Sequence, residues 1–195
     1  GSRWAKKGHQ VVFCTREPNS NKVQNLLNVA GKNAQAASIN EGVAVSEVIV
    51  LATPWHAVTE VLKIAGNLEG KILVDCTNPI KSDGLGLAIA HTTSAAEQIA
   101  EQAQGAHVVK AFSTIHSKTM NNPVFGSDKV DTFICGNNAD AKSTVTQLAQ
   151  ELGFNVVDTG SLFTARYLES IAMLWVHLGI NEKWGPDYAF KVISR

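Results

Sequence analysis

Residues 47–57 read EVIVLATPWHA, an apolar run that ends in a Thr-Pro turn and passes into a helical pattern. The apolar residues are nearly continuous rather than alternating, which indicates a strand covered on both faces, as in a parallel sheet. Thr53 before Pro54 predicts a helix start, because a hydroxyl caps a helix and proline suits its first turn. The sequence on either side repeats this order of strand and helix.

Five further short apolar runs predict strands, at residues 11–14, 71–76, 107–112, 132–135 and 155–157. Helical segments lie between them. Ser94 and Glu97 have the spacing of a capping box, and residues 140–152 predict a helix that stops at Gly153. Strands that alternate with helices predict an α/β fold with a doubly wound, mostly parallel Rossmann-type sheet.

The alternation ends near residue 160. We therefore expect a Rossmann domain in residues 1–160 and a helical segment in residues 161–195. Within that segment, residues 165–183 predict one long amphipathic helix, and residues 188–193 predict a short final one. Amphipathic helices after a completed sheet close the domain or form a dimer face, and the apolar content here favours a homodimer.

The first ten residues read as the second half of a helix that leads into the strand at residues 11–14. In a Rossmann unit such a strand is the second one. The first strand and its glycine-rich turn, G-x-G-x-x-G, lie roughly 20 residues earlier. We therefore expect a central strand and the glycine loop to precede residue 1 and to be absent from this chain.

Composition argues against several classes of protein. Lys+Arg and Asp+Glu number 17 each, so the formal charge is zero and no basic surface for nucleic acid or anionic membranes is predicted. Cys14, Cys76 and Cys135 lie far apart, which argues against a disulfide framework or metal site. Each ends an apolar run, so we expect buried, reduced thiols in a cytoplasmic protein. The apolar stretch at residues 171–180 is shorter than the ~20 residues that a membrane span needs.

The residues after the first predicted strand indicate which dinucleotide binds. NAD enzymes carry an acidic residue there, whereas this chain has Thr15 and Arg16. A guanidinium stays charged and offers several donors to a phosphate, so the pair predicts NADP, with Ser20 and Lys22 as further contacts. The alternative is that Arg16 is an ordinary solvated loop charge, with which the adjacent Glu17 could pair.

Two later turns follow predicted strands at the same edge of the sheet, where ligands bind in doubly wound folds. Trp55 and His56 in the first turn either line a nicotinamide or acceptor pocket, or pack on the sheet and face water. Asn78 in the second is expected to hydrogen-bond a ribose or carboxamide, with Pro79 fixing the loop. Asn-Pro is also a plain turn signal.

A third turn follows the strand at residues 107–112. Ala111 is small enough for a flat ring to approach the backbone, with Phe112 or Thr114 beside that ring. His116 is the one plausible proton donor in this turn, although a lone histidine is more often structural. The motifs of α/β-hydrolases and phosphate-binding loops are absent from the sequence.

The turns and their flanks resemble a known family. The segments that carry this resemblance are RWAKKGHQVVF at 3–13, TREP at 15–18, LATPWHAV at 51–58, GKILVDCTNP at 70–79, HTTSAAEQIA at 91–100, VVKAFSTI at 108–115, CGNNADAK at 135–142, ELGF at 151–154 and RYLESIAMLW at 166–175. In this order they are similar to the NADP-dependent oxidoreductases of the deazaflavin coenzyme F420. A similar module feeds electrons to flavin in a family of metalloreductases with transmembrane helices.

The resemblance implies a cofactor, an acceptor and a set of site residues. Thr15 and Arg16 would hold the 2′-phosphate of NADP. The turns around the nicotinamide would contribute Ala52, Thr53, Pro54, Trp55, His56, Ala57, Asn78, Pro79 and Ala111. A flavin or deazaflavin acceptor would lie near Phe112, Thr114 and Trp175 and take a hydride directly, without an obligatory side-chain acid or base. Two features depart from the family pattern beside the missing glycine loop: the turn at residues 53–58 is one residue shorter, and His116 replaces a common proline.

Two other functions remain open from the sequence. An imine or β-hydroxyacid reductase shares the N-terminal domain but needs a larger helical domain than residues 161–195 provide. A non-catalytic NADP sensor or partner-binding module would bind NADPH tightly without turning over any flavin.

Overall fold

A computed structural model describes residues 1–193 and 195. Most strands in this part of the chain are connected by helices. The strands are β1 (Val11–Cys14), β2 (Ala34–Ala37), β3 (Val48–Leu51), β4 (Ile72–Asp75), β5 (His107–Lys110), β6 (Val124–Phe125), β7 (Asp128–Lys129), β8 (Asp131–Gly136) and β9 (Asn155–Asp158). The α-helices are α1 (Ser2–Lys6), α2 (Asn21–Ala30), α3 (Ile39–Val45), α4 (Val58–Ala65), α5 (Ala95–Gln102), α6 (Ser117–Asn121), α7 (Ala139–Glu151) and α8 (Ala165–Val176).

The main sheet has five strands in the order β3-β4-β5-β8-β9. β3, β4 and β5 are parallel and place Leu51, Asp75 and Lys110 in one row across the sheet. β8 joins β5 in the antiparallel direction, and β9 runs parallel to β8. The predicted α/β fold with a mostly parallel sheet is confirmed. Because β8 and β9 run the opposite way, β3, β4 and β5 are the strands of this sheet that end at the same edge.

β1 and β2 form a separate parallel pair that is not hydrogen-bonded to the main sheet among the described residues. Gly1 lies against the Phe13 ring of β1. The sequence pattern missed β2, because Ala34–Ala37 reads AQAA and contains no β-branched residue.

Helices cover the main sheet on both faces, and successive strand residues point to opposite sides. Leu73 and Val108 lie in one buried cluster with side chains of α4, α5 and α8. Val74 and Val109 lie in a second buried cluster with side chains of α1 and α7. This arrangement explains why the strands read as continuous apolar runs.

Helix boundaries agree with the sequence in two cases and differ in a third. Ser94 caps α5, accepting from the Glu97 N–H at 3.1 Å, and α7 ends shortly before Gly153, whose φ is +93°. Thr53 does not cap a helix. A 3₁₀ turn at Trp55–Ala57 precedes α4, and the Thr53 hydroxyl has no hydrogen-bond partner.

The C-terminal segment also differs from the prediction. α8 continues through a π-helical turn at His177–Asn181, which falls short of the predicted end at residue 183. Residues 188–193 are not helical. This stretch folds back instead, because Tyr188 packs on α8 and the Val192 N–H donates to Asp131 at 2.6 Å.

The three cysteines are free thiols with different exposure: Cys14 is exposed, Cys76 is partly buried and Cys135 is buried. The expectation of uniformly buried thiols was therefore wrong for Cys14, which lies at the end of a strand in the small, thinly covered β1–β2 sheet. No helix of the described chain is long and apolar enough to cross a lipid bilayer.

Candidate functional site

The turns that follow β3, β4 and β5 carry three buried polar atoms without hydrogen-bond partners. They are Thr53 Oγ1, Asn78 Oδ1 and Ser113 Oγ. An unsatisfied buried polar atom costs about 1–3 kcal/mol, so such atoms are rare in folded proteins. Three such atoms therefore lie at the carboxyl ends of adjacent parallel strands, where they are available to hydrogen-bond a polar ligand. A fourth, Thr132 Oγ1, lies within β8.

The Asn78 side chain has a defined orientation. Its Nδ2 donates to the Ser113 carbonyl oxygen at 2.7 Å, which joins the turn after β4 to the turn after β5. Because that carbonyl only accepts, the amide nitrogen must face it, and Oδ1 points away. Asn78 therefore offers an acceptor to a ligand that carries an N–H or O–H group, as a carboxamide or a ribose does.

The turn after β5 has a strained backbone. Phe112 has a φ of +60°, a conformation that bulky residues rarely adopt and that is often found at ligand-binding sites. Its ring packs edge-on against Trp4 and Phe154, with centroids 6.1 and 5.9 Å away, and Phe112 is only 6% exposed. The predicted contact between Phe112 and an acceptor is therefore not supported by the structure. Ala111 is likewise fully buried in the core.

The predicted residues His116 and Trp175 lie together. Their rings are stacked, with centroids 5.1 Å apart, and Tyr188 stacks on Trp175 at 4.9 Å. His116 Nδ1 accepts from the Lys118 N–H at 3.3 Å and so caps α6, which matches the structural alternative for this histidine. Thr114, two residues earlier, is buried. The sequence predicts Tyr188 at the start of a short final helix and gives no signal for its stacking on Trp175.

In the turn after β3, Trp55 and His56 have different environments, although both were predicted to line one pocket. Trp55 is partly buried and packs against the core cluster beneath α4, while His56 is exposed. This placement corresponds to the alternative in which Trp55 packs on the sheet and His56 faces water. The remaining members of the turn are exposed or partly exposed: Ala52, Pro54 and Ala57. Pro79, in the turn after β4, is buried, and its carbonyl accepts from the Ala88 N–H at 2.6 Å.

The residues predicted to bind the 2′-phosphate lie in the short loop between β1 and α2. Arg16 is exposed, which is also what the alternative of an ordinary solvated charge expects, and no ion pair within the described part of the chain joins it to Glu17. Ser20 occupies the N-cap position of α2 without a side-chain capping bond, and Lys22 lies exposed in its first turn. Thr15 accepts from the Glu17 N–H at 3.3 Å. A guanidinium beside a helix N-terminus is suited to an anion.

A buried ionic cluster beneath the site was not predicted. Lys110 Nζ lies 2.7 Å from Asp75 Oδ2 and 3.0 Å from Glu169 Oε1, and all three side chains are at most 1% exposed. Burial opposes the charge of Lys110, but the two carboxylates outweigh it and raise the pKa of the ammonium. Burial raises the pKa of the Glu169 carboxyl, partly offset by Lys110. The sequence gives one signal for this cluster, because β4 and β5 are apolar strands that each end in a charged residue, Asp75 and Lys110.

The fold and this edge define a Rossmann-type dinucleotide-binding protein. A family model described as "NADP oxidoreductase coenzyme F420-dependent" matches residues 1–79. A protein of Arthrobacter sp. FB24, assigned as an F420-dependent NADP reductase, is 31% identical with a TM-score of 0.89, over 99% of this chain and 92% of that one. The chain belongs to the family of coenzyme F420-dependent NADP oxidoreductases, as its sequence motifs predict.

Two curated relatives extend the comparison. The F420-dependent NADP reductase of Methanothermobacter marburgensis is 28% identical over 93% of this chain and 86% of its own length. Metalloreductase STEAP3 of Rattus norvegicus is 33% identical over 88% of this chain. The chain spans 33% of the length of that metalloreductase.

Proposed function

We propose that this chain binds NADP(H) along the carboxyl edge of β3, β4 and β5 and transfers a hydride between its nicotinamide and a deazaflavin or flavin acceptor. The observation that carries the proposal is the group of unpartnered atoms Thr53 Oγ1, Asn78 Oδ1 and Ser113 Oγ on three adjacent strand ends. Two hydroxyls and one amide oxygen match the hydroxyl and carboxamide groups of a nicotinamide riboside. Membership of the F420-dependent family supports the deazaflavin coenzyme as the acceptor.

The two ends of the dinucleotide would meet different chemistry. Arg16 and Thr15, with the α2 N-terminus and Lys22, form the cationic end for the 2′-phosphate. Asn78 and its neighbours form the neutral polar end for the nicotinamide half. Bound NADPH supplies the hydride, and the side chains bind and orient it. No side-chain proton donor is needed, which agrees with His116 being committed to capping α6.

The acceptor side of the site is bounded by the stacked rings of His116, Trp175 and Tyr188. Trp175 Nε1 donates to the Tyr188 carbonyl at 3.3 Å, so the rings are also held by hydrogen bonding. Flat aromatic surfaces favour a planar tricyclic acceptor and exclude water from its reacting face.

Assembly and location complete the proposal. Tyr167 and Leu174 on α8, and Phe163 in the 3₁₀ turn just before it, are 47–59% exposed, an apolar surface that favours a homodimer through this helix. The three free thiols favour a cytoplasmic protein.

Stopped-flow oxidation of NADPH by the full-length protein tests this function. We expect rapid oxidation with the deazaflavin coenzyme and slower oxidation with FMN and FAD, and much weaker activity with NADH. If none of the three acceptors accelerates NADPH oxidation, the assignment of the acceptor fails. Tight NADPH binding without any turnover would favour the sensor function instead.

A further inference from the structure

The ammonium group of Lys110 has three oxygen neighbours within the fold. Besides the Asp75 and Glu169 carboxylates, its Nζ donates to the Thr77 carbonyl at 2.8 Å. Three oxygens therefore surround an ammonium that has three protons to donate. The cluster lies at the ends of β4 and β5, directly below the turns that carry the unpartnered polar atoms.

The two carboxylates extend the cluster to the backbone. Asp75 Oδ1 accepts from the Thr77 N–H at 2.8 Å and from the Thr77 hydroxyl at 2.7 Å. Glu169 accepts from the N–H groups of Ala95 at 3.0 Å and Ala96 at 3.2 Å, at the start of α5. One buried network therefore joins the turn after β4, the end of β5, the first turn of α5 and the middle of α8.

The network lies one residue from the site. Thr77, which is held through its N–H, hydroxyl and carbonyl, is followed directly by Asn78. Asn78 in turn donates to the Ser113 carbonyl, three residues after Lys110. A movement of Thr77 would therefore shift the Asn78 amide relative to the Ser113 carbonyl that it contacts.

Stability alone is a weak reason for such a cluster. Buried ion pairs are often no more stable than apolar side chains of similar volume, whereas they do fix geometry in some proteins. We propose that Lys110, Asp75 and Glu169 are positioning residues that hold the Asn78 carboxamide in the orientation that binds the nicotinamide half of NADP(H). This inference rests on the proposed function, because it assigns a ligand half to Asn78.

Binding measurements with two ligands separate positioning from a general structural role. Isothermal titration of the full-length protein would compare NADP⁺ with 2′,5′-ADP, which lacks the nicotinamide half. We expect Lys110→Met to weaken NADP⁺ at least fivefold while the Kd of 2′,5′-ADP changes less than twofold. The milder change Thr77→Val removes one hydrogen bond to Asp75 and should shift the same ratio in the same direction, less strongly.

Two further variants keep the test decisive. The triple change Lys110→Met, Asp75→Asn, Glu169→Gln leaves no unpaired charge if the single variant fails to fold. Lys71→Met is the matched control, because Lys71 donates to the Ser46 carbonyl at 2.6 Å ahead of β4, at the opposite edge of the sheet. We expect this control to leave the ratio of the two affinities unchanged.

The outcomes distinguish the inference from the function on which it rests. The positioning role is overturned if the variants lose affinity for NADP⁺ and 2′,5′-ADP equally. It is also overturned if the ratio of the two affinities is unchanged in the folded Thr77→Val and triple variants. In either case, binding of NADP⁺ by the wild type preserves the proposed function. A wild-type protein that binds 2′,5′-ADP and NADP⁺ equally well overturns the nicotinamide contact of Asn78 itself. Absence of NADP⁺ binding by the wild type overturns both.

Discussion

The guanidinium of Arg166 in α8 donates two hydrogen bonds to the Glu97 carboxylate in α5, with Nη2–Oε1 at 2.7 Å and Nε–Oε2 at 2.8 Å. The Ser94 hydroxyl also donates to Glu97 Oε2 at 2.7 Å. Three residues further along α8, Glu169 accepts from the first backbone N–H groups of α5. Two carboxylates, one partly exposed and one buried, therefore join the same two helices and place α8 beside the site.

Glu97 should contribute stability that depends on pH. The Arg166 hydrogen bonds, with a smaller contribution from Ser94, outweigh partial burial and lower the pKa of the Glu97 carboxyl below its ordinary 4.5. A lowered pKa in the folded state stabilises the protein above pH 4.5, and this stabilisation is lost as the pH falls through the folded pKa. We expect Glu97→Gln to lower the free energy of unfolding at about pH 7 and to have little effect at about pH 3.

Urea unfolding at both pH values measures this difference. Glu101→Gln is the control, since Glu101 is exposed on the same helix. A deficit of Glu97→Gln that is as large in acid as at neutral pH would show that the contact stabilises through packing rather than charge.

Arg16 should determine the choice between NADPH and NADH. A hydrogen bond to a charged group contributes about 1.5–3 kcal/mol, so Arg16→Ala should raise the KM for NADPH by about 10- to 100-fold. The KM for NADH should change little, because NADH lacks the 2′-phosphate. Lys32→Ala, at the far end of α2, serves as the control in steady-state kinetics. Equal effects on both nucleotides would contradict phosphate binding by Arg16.

The unpartnered hydroxyls allow a matched test of the nicotinamide site. Thr53→Val and Thr132→Val each replace a buried, unpartnered hydroxyl by a methyl group, but Thr53 lies at the site and Thr132 lies within β8. We expect Thr53→Val to raise the Kd for NADPH about 5-fold through loss of one hydrogen bond. Thr132→Val should leave that Kd unchanged and increase thermal stability. A similar Kd for both variants in fluorescence titration would exclude Thr53 from the ligand contact.

Local sequence patterns predicted most strands and helices of this protein. The ionic cluster and the course of the C-terminal segment depend instead on contacts between residues distant in sequence. The strands β3, β4 and β5 were recognisable because Leu73 and Val74 face different helical layers, so both must be apolar. The ionic cluster could not be predicted, since Lys110 and Glu169 are 59 residues apart and neither position shows what it faces. The fold-back of Tyr188 onto Trp175 likewise depends on a long-range contact. The packing of the Phe112 ring on Trp4 in the core also depends on a local feature that the sequence does not reveal, the positive φ of Phe112.

Gly136 should be required where β8 meets β5. A Cβ at this position would lie 2.9 Å from the Val108 carbonyl oxygen, and backbone in the middle of a sheet cannot move aside. We expect Gly136→Ala to destabilise the protein by about 1–3 kcal/mol in urea unfolding. Gly86→Ala is the control, because no atom lies within 4 Å of its added Cβ. Equal stabilities of the two variants would show that β5 and β8 can separate without cost.

The three cysteines should differ in reactivity toward a disulfide reagent. The thiolate is the reactive form, so access and pKa together set the rate. Burial and the neighbouring Asp75 carboxylate raise the pKa of Cys76 to about 12, and burial also raises the pKa of the Cys135 thiol. Cys14 is exposed, although partial burial raises the pKa of its thiol. Cys14 should therefore react first, more slowly than a free cysteine.

Native and denatured protein should be compared with a chromogenic disulfide at about pH 8, where a thiol of pKa about 12 is only about 0.01% ionised. We expect one thiol to react within minutes in the native protein and three after denaturation, and we expect Cys14→Ser to abolish the native phase. Cys76 is partly exposed and should react slowly because so little of it is thiolate, whereas buried Cys135 becomes reactive only when the sheet opens. The Cys135 phase should therefore report the unfolding rate and accelerate in Gly136→Ala. Two thiols reacting rapidly in the native wild type would contradict the raised pKa of the Cys76 thiol.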